Sequence, residues 1–285
     1  MSKIAFLNDL EVKKLALECA SSSQSVGWAV EDADEQRREC AARFGLSESL
    51  LNLFSHAFHI PYGADAAKKL STALEAIEPG ADTLTLVRNW VLGIWESDVK
   101  QHVLGTTAEA PAVELIRLLR ASEVEPIPRE AWRRARGGVG ELIGADPELD
   151  PALELLIAMG WDLAGSPRST TDIWNAWEAM TTVPVNRAAG WAQPSQDEVI
   201  QAVRDAHIAI YEKVGAPPQD AERAREFQAR SNEMVNAELE AKGFLTRFED
   251  LQNHLNTTLV PAMIVWRGRA DDSIFDACRS ARPAQ

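Results

Sequence analysis

Cysteine is scarce in this chain of 285 residues, and the three present, Cys19, Cys40 and Cys278, show no CxxC or Cys/His spacing. That excludes a disulfide framework, a cysteine-based zinc site and a thioredoxin-like dithiol, and points to a reduced, cytoplasmic compartment. Long apolar runs are missing too. The longest, LVPAMIVW, is interrupted by Pro261 and is too short to span a bilayer. The opening MSKIAFLNDLEVKK meets acids and lysines before an apolar signal core can develop. A soluble protein without membrane insertion is therefore expected. Positive charge is in deficit: 29 Lys and Arg stand against 43 Asp and Glu, a formal net charge of −14. Such a chain repels nucleic-acid phosphates and anionic lipid, so direct nucleic-acid binding is disfavoured. The acidity reads as a solubility device, with mimicry of nucleic acid or capture of a basic protein as alternative uses. Nucleotide-binding glycine loops, the GxSxG elbow and HExxH are all absent, and no cofactor is expected.

Helical periodicity is what the chain has in abundance. Apolar residues recur three and four apart in nearly every segment, and no run of alternating β-branched residues stands out. The fold class is all-α, with antiparallel helical hairpins in a bundle or an α-solenoid-like array. The pattern places helices over about residues 8–22, 30–44, 47–59, 63–77, 82–104, 110–121, 128–143, 150–163, 170–180, 195–214, 218–242, 245–266 and 271–280. Ser47, Ser195 and Asp271 suit N-caps, Gly215 suits the residue just past a helix end, and Pro217 with Pro218 stops the preceding helix. The stretch TTVPVNRAAGWAQPSQ, bracketed by Pro184 and Pro194, divides a domain over about residues 1–183 from a C-terminal subdomain over about residues 195–285. Three related strings, ALEAI from Ala73, AVELI from Ala112 and ALELL from Ala152, are each followed by a tryptophan, at Trp90, Trp132 and Trp174. Their spacing is that of a two-helix repeat.

A second recurrence pairs GWAVEDADE, from Gly27 to Glu35, with GWAQPSQDE, from Gly190 to Glu198. Each sets a tryptophan before a turn and an acidic pair. Carboxylates in a first turn favour the positive end of the helix dipole, and a large apolar residue ahead of the cap packs back on the helix as a staple. Trp28 and Trp191 are otherwise candidate partner anchors. Trp90, Trp95, Trp174 and Trp177 sit among apolar neighbours at helical spacing and read as core. The one basic cluster, PREAWRRARGG, lines up Arg129, Arg133 and Arg136 on a helix face. It can dock an acidic peptide or a phosphate, or form a solvated face paired with acids.

Acid–base or metal chemistry has two single-helix candidates. ESDVKQH sets Asp98 and His102 one turn apart, and EDLQNH does the same for Asp250 and His254. Carboxylate/imidazole pairs of this kind can assemble a metal site in a helical bundle, and they also form plain surface hydrogen bonds. His56 and His59 in HAFHIP are three apart, whereas a zincin needs four with an intervening Glu. No metal is expected.

Resemblances to three known families follow from particular stretches. NEMVNAELE, with Asn232, Asn236 and Glu240, and DDSIFD, with Asp271, Asp272 and Asp276, resemble the magnesium-binding motifs of class I terpene synthases. Their order is reversed here, and Asn236 replaces the usual hydroxyl. The span from Trp90 to Gly165 is similar to an uncharacterised helical bacterial family encoded near type VI secretion genes, which implies an accessory or adaptor role. It lacks a glycine-serine turn after the "PA" helix start. The stretch from NLFSHAFHIP to WESDVKQH is similar in layout to the carboxymuconolactone decarboxylase and AhpD-like fold. Trp95 and Asp98 occupy its cysteine positions, which removes thiol peroxidase chemistry and leaves His102 as the acid–base residue. The leading expectation is a non-catalytic protein-binding adaptor using Trp28, Trp191, Arg129, Arg133 and Arg136, with homo-oligomerisation open. The competing one is a helical enzyme built on Asp98 and His102.

Overall fold

A computed structural model describes residues 4–21, 34–58, 64–215, 218 and 220–283. Regular structure among them is helical, and extended pairing is limited to two single antiparallel bridges, Ile4 to Asp82 and Ala81 to Pro283. The all-α class is therefore the observed one. In chain order the helices are α1 (Leu10–Ser21), α2 (Asp34–Phe44), α3 (Glu48–Ala57), α4 (Ala64–Ala76), α5 (Thr83–Ile94), α6 (Lys100–Val103), α7 (Glu109–Ala121), α8 (Arg129–Gly140), α9 (Asp150–Met159), α10 (Ser169–Ala188), α11 (Gln193–Val214), α12 (Ala221–Ala241), α13 (Leu245–His254) and α14 (Val260–Ser280). Two π-helical turns, Trp95–Val99 and Leu255–Leu259, join α5 to α6 and α13 to α14 without a break.

The chain divides into two compact units. One comprises the residues up to Met180 together with those from Trp266 onward, and the other is Thr181–Val265. The final twenty residues thus belong with the first unit, whereas the proline-bracketed stretch assigns everything after 195 to a C-terminal subdomain. Pro184 does not end a helix: α10 runs through it to Ala188. A proline lacks the N–H that would bond to the carbonyl four residues back, and that carbonyl is on Met180, where the first unit stops.

In the first unit, local signals set the helix ends and distant polar contacts tie the helices. Ser47 caps α3, its Oγ accepting from the Leu50 N–H at 3.2 Å. The turn before it needs Gly45, whose φ is +66° and where a Cβ would collide with the Ile4 carbonyl oxygen. Helix α1 packs on α4, and Lys13 crosses between them to donate to the Glu75 and Ile77 carbonyls at 2.7 Å each. These are carbonyls that a helix end leaves without intrahelical donors. Arg88 on α5 is buried and donates to the Ser122 carbonyl at 3.1 Å, holding the end of α7. Contact between non-sequential helices such as α1 and α4 is the mark of a bundle, since a solenoid stacks neighbours only. The three repeat-like strings do not occupy equivalent places. ALEAI closes α4 while AVELI and ALELL open α7 and α9, and of the helix pairs concerned only α7 with α8 packs as an extensive hairpin.

The core of this unit is rich in tryptophan. Trp90, Trp174, Trp177 and Trp266 meet edge to face, with centroid separations from 5.2 Å for Trp174–Trp266 to 6.2 Å for Trp90–Trp177. Edge-to-face pairs add stabilisation beyond burial alone. Trp90 also donates its indole N–H to Ser273 Oγ at 3.2 Å. Of the run LVPAMIVW only Trp266 is buried, while Val260, Ile264 and Val265 are exposed.

In the second unit α11, α12 and α13 pack on Ala206, Ile210, Val235 and Leu239, with Phe244, Leu245 and Phe248 against them. Gly215, with φ +81°, ends α11 as its position suggests. Ser195 is not a cap. The helix starts earlier, at Gln193, with Ala192 in the cap position and Pro194 in the first turn. Asp197 and Glu198 therefore lie beyond the first turn, and their roles are different. Asp197 accepts from Gln193 at 2.9 Å, and Glu198 pairs with Arg247 at 2.8 Å. The first copy of the motif is only partly visible: Asp34 and Glu35 open α2. Among the described residues no helix is long and apolar enough to cross a membrane.

Candidate functional site

The sequence-selected residues scatter. Trp28 and His59 lie outside the described residues. Trp191 is half-buried, its N–H donating to the Asn186 carbonyl and its own carbonyl accepting from Gln196, both at 2.8 Å. These backbone bonds close the α10–α11 turn. Arg136 also turns inward. Its guanidinium stacks 3.6 Å from the Trp161 ring centroid and donates to the Gly160 carbonyl at 2.6 Å, and burial holds its pKa below the ordinary value. Arg129 and Arg133 remain exposed, and neither has an ion pair among the described residues.

The acid/imidazole pairs do not form. Asp98 sits in the π-helical turn, where one residue is inserted into the ladder and α-helical one-turn arithmetic fails. It faces Arg269 on α14 at 3.1 Å and accepts from Ser97 at 2.7 Å, while His102 is exposed. His254 is buried against Asn186, with Nε2 2.9 Å from Oδ1, and Asp250 is exposed. Of the terpene-synthase-like motifs, the Asn/Glu triad lies on α12 in the second unit and the aspartates on α14 in the first. No group of three or more His, Cys, Asp or Glu among the described residues is placed to hold a metal ion.

Sequence reasoning misses a buried charge network beside the tryptophans. Asp271, expected as a helix cap, is instead in the middle of α14 and buried. Lys69 on α4 donates to its Oδ2 at 2.6 Å, and Arg267 approaches its Oδ1 at 3.4 Å. Arg267 in turn donates to the Ala57 carbonyl at the end of α3 and lies 4.9 Å from the Trp174 centroid. One acid thus joins α4 to α14, and its neighbour Arg267 reaches α3 and α10. Half-buried Glu178 adds a second carboxyl: burial pushes its pKa up, and Arg267 offsets this only in part. A carboxyl raised in the folded state contributes stability that is full below its unfolded pKa and lost as pH rises through the folded one. Glu178→Gln is accordingly expected to raise the melting temperature at pH 7 and to leave it unchanged near pH 4, as read by thermal denaturation at the two pH values.

Cysteine chemistry is equally constrained by burial. Cys278 is fully buried and its thiol is pushed up to about 12, whereas Cys19 and Cys40 are partly exposed. The thiolate is the reactive species. A thiol reagent is expected to label Cys19 and Cys40 in the folded protein and Cys278 only on unfolding; labelling of all three at one rate would contradict that placement.

Exposed cations flank the α7–α8 hairpin: Arg117, Arg120, Arg129, Arg133 and Arg134. From Lys100 to Gly140 the chain has seven Lys or Arg against five Asp or Glu, in a molecule of net charge −14. A cleft of about 300 Å³ separates the two helices, with Ala131, Ala135 and Gly138 along one wall and Arg117 and Arg134 at its edges. On the other side of α7 lies a second groove, of about 320 Å³, running to the π-helical turn and α6. The spacing of Arg129 and Arg133 is legible in the sequence. The grooves are not, because they depend on which helices pair.

No protein-family model, no curated protein and no solved structure matches this chain.

Proposed function

We propose that the chain is a non-catalytic protein–protein interaction module, an adaptor, that engages its partner through the exposed face of α8. The observation that carries this reading is that Arg129 and Arg133 stand one turn apart, in water and without an ion pair among the described residues. Arg129 is the first residue of α8, where a cation opposes the helix dipole. Nothing inside the fold gains from these two charges. Exposed unpaired guanidiniums on a chain that is otherwise strongly acidic steer an acidic protein surface toward one face and repel basic ones. A component of a secretion apparatus, the partner class implied by the resemblance of Trp90–Gly165, is the first candidate to test.

The reading is tested by site-specific photo-crosslinking in the source cells, with the photoreactive residue placed at exposed Glu130 on α8, beside Arg129 and Arg133, or, as a control, at exposed Gln201 on α11. A discrete protein crosslinked from α8, absent from the control and lost in Arg129→Glu/Arg133→Glu, is the expected result. Crosslinks from Gln201 alone, or crosslinks from α8 indifferent to charge reversal, would refute it.

A further inference from the structure

We infer that the groove between α7 and the π-helical turn with α6 is a docking site for an acidic amphipathic helix of a partner protein. This inference rests on the interaction reading above but uses a different surface. The groove has an apolar floor that water touches: Leu104 and Val113 are 45% and 50% exposed, above buried Trp95 and Ile116. Its rim is cationic, with Lys100, Arg117 and Arg120. An apolar trough edged by like charges matches the pattern of a helix laid into a groove, where side chains three and four apart fill the floor and flanking residues meet the rim. Charge complementarity selects acids for those flanks, and the apolar floor disfavours a phosphate polymer, which has nothing to bury there.

The chain already places acids where a partner's would go. Glu96 bridges Lys100 at 2.8 Å and Arg120 at 2.9 Å across the groove, and Glu114 holds Arg117 through two bonds of 2.7 and 2.8 Å. Glu96, Lys100 and Arg120 each keep about half of the side chain in water, which makes these surface pairs weak and exchangeable. A partner carboxylate replaces Glu96 at little cost. Glu96 belongs to the π-helical turn, a local distortion that recurs at functional positions, and that turn is what sets its carboxylate above the groove. The same arrangement makes Glu96 a competitor of the partner, so that removing its charge strengthens docking.

The probe is a synthetic helical peptide with leucines at i, i+3, i+4 and i+7 and glutamates on both flanks, titrated by fluorescence anisotropy against the full chain. A peptide with lysines in place of the glutamates and a single-stranded oligonucleotide serve as comparisons. Saturable binding of the acidic peptide is expected, weakened roughly tenfold by Arg117→Glu or by Val113→Asp, tightened several-fold by Glu96→Gln, and diminished by salt. All three positions are exposed, and a melting curve for each variant confirms its fold. Equal binding of the lysine peptide, preference for the oligonucleotide, or no binding to either wild type or Glu96→Gln would overturn the inference. Crosslinks from α8 that persist while the peptide fails to bind would remove this groove and leave the adaptor reading standing. Peptide binding without crosslinks from α8 would do the reverse.

Discussion

Trp266→Ala is expected to destabilise the first unit by about 4 kcal/mol, within the range for emptying a buried aromatic site. Trp266 is 1% exposed and meets Trp174 and Trp177 edge to face at 5.2 and 5.6 Å. Its removal therefore breaks two of the four tryptophan contacts and leaves a void that indoles, being rigid, cannot collapse to fill. Trp266→Phe should cost less than half as much. It retains a ring, and it removes an indole N–H that meets no protein acceptor in the core. Chemical denaturation, followed by midpoint at unchanged slope, measures both. Equal losses for the two variants would mean that the rings are not the packed element described.

The second large effect is expected for Asp271→Ala, at about 3 kcal/mol. Breaking a buried ion pair by deleting one partner costs several kcal/mol because the remaining charges stay desolvated. Here the low end applies. Lys69 keeps 39% of its side chain in water and can turn outward, whereas Arg267, at 25%, is pinned by the Ala57 carbonyl and the Trp174 ring. The reciprocal change, Lys69→Ala, should cost clearly less than Asp271→Ala, because Arg267 still faces the carboxylate. Denaturation of the two variants side by side checks the order. A larger loss for Lys69→Ala would show that the α4 contact, and not the buried acid, holds the network.

Neither effect is written in local sequence. Asp271 looks like a cap because DDSIFD follows a plausible break, yet its partner Lys69 is 202 residues away, and an uninterrupted helix through the π-turn carries it into the core. His254 and Asp250 share the spacing of a ligand pair, but the fold buries one and exposes the other. Where the signal is local, it is readable. Ser47 caps α3, Gly215 ends α11, and the helical period finds the helices, although it stops α10 eight residues early and places a break inside α14. Pro184 and Ser195 mislead for a shared reason: a proline or a serine is tolerated within a helix when packing holds the segment, and propensity is then overridden. The same division applies to the proposed surfaces. Arg129 and Arg133 are neighbours by simple periodicity, but Arg136 is withdrawn by Trp161, a residue from the loop after α9. The groove at α7 needs Glu96 and Arg120, 24 residues apart, to meet.

The acids after each Gly-Trp pair illustrate the limits of analogy within one chain. In the second copy the helix begins four residues before Asp197, so dipole complementarity is replaced by a side-chain bond to Gln193 and a pair between Glu198 and Arg247. Trp191 helps close the α10–α11 turn through its backbone.

The central claim, that the α8 face is where this protein meets its partner, is tested most directly by titrating the purified crosslinked partner against wild type and Arg129→Glu/Arg133→Glu at low and high salt. The account predicts a loss of at least about tenfold in affinity at low salt that shrinks as salt screens exposed charges. Identical affinities for the two proteins at low salt would contradict it.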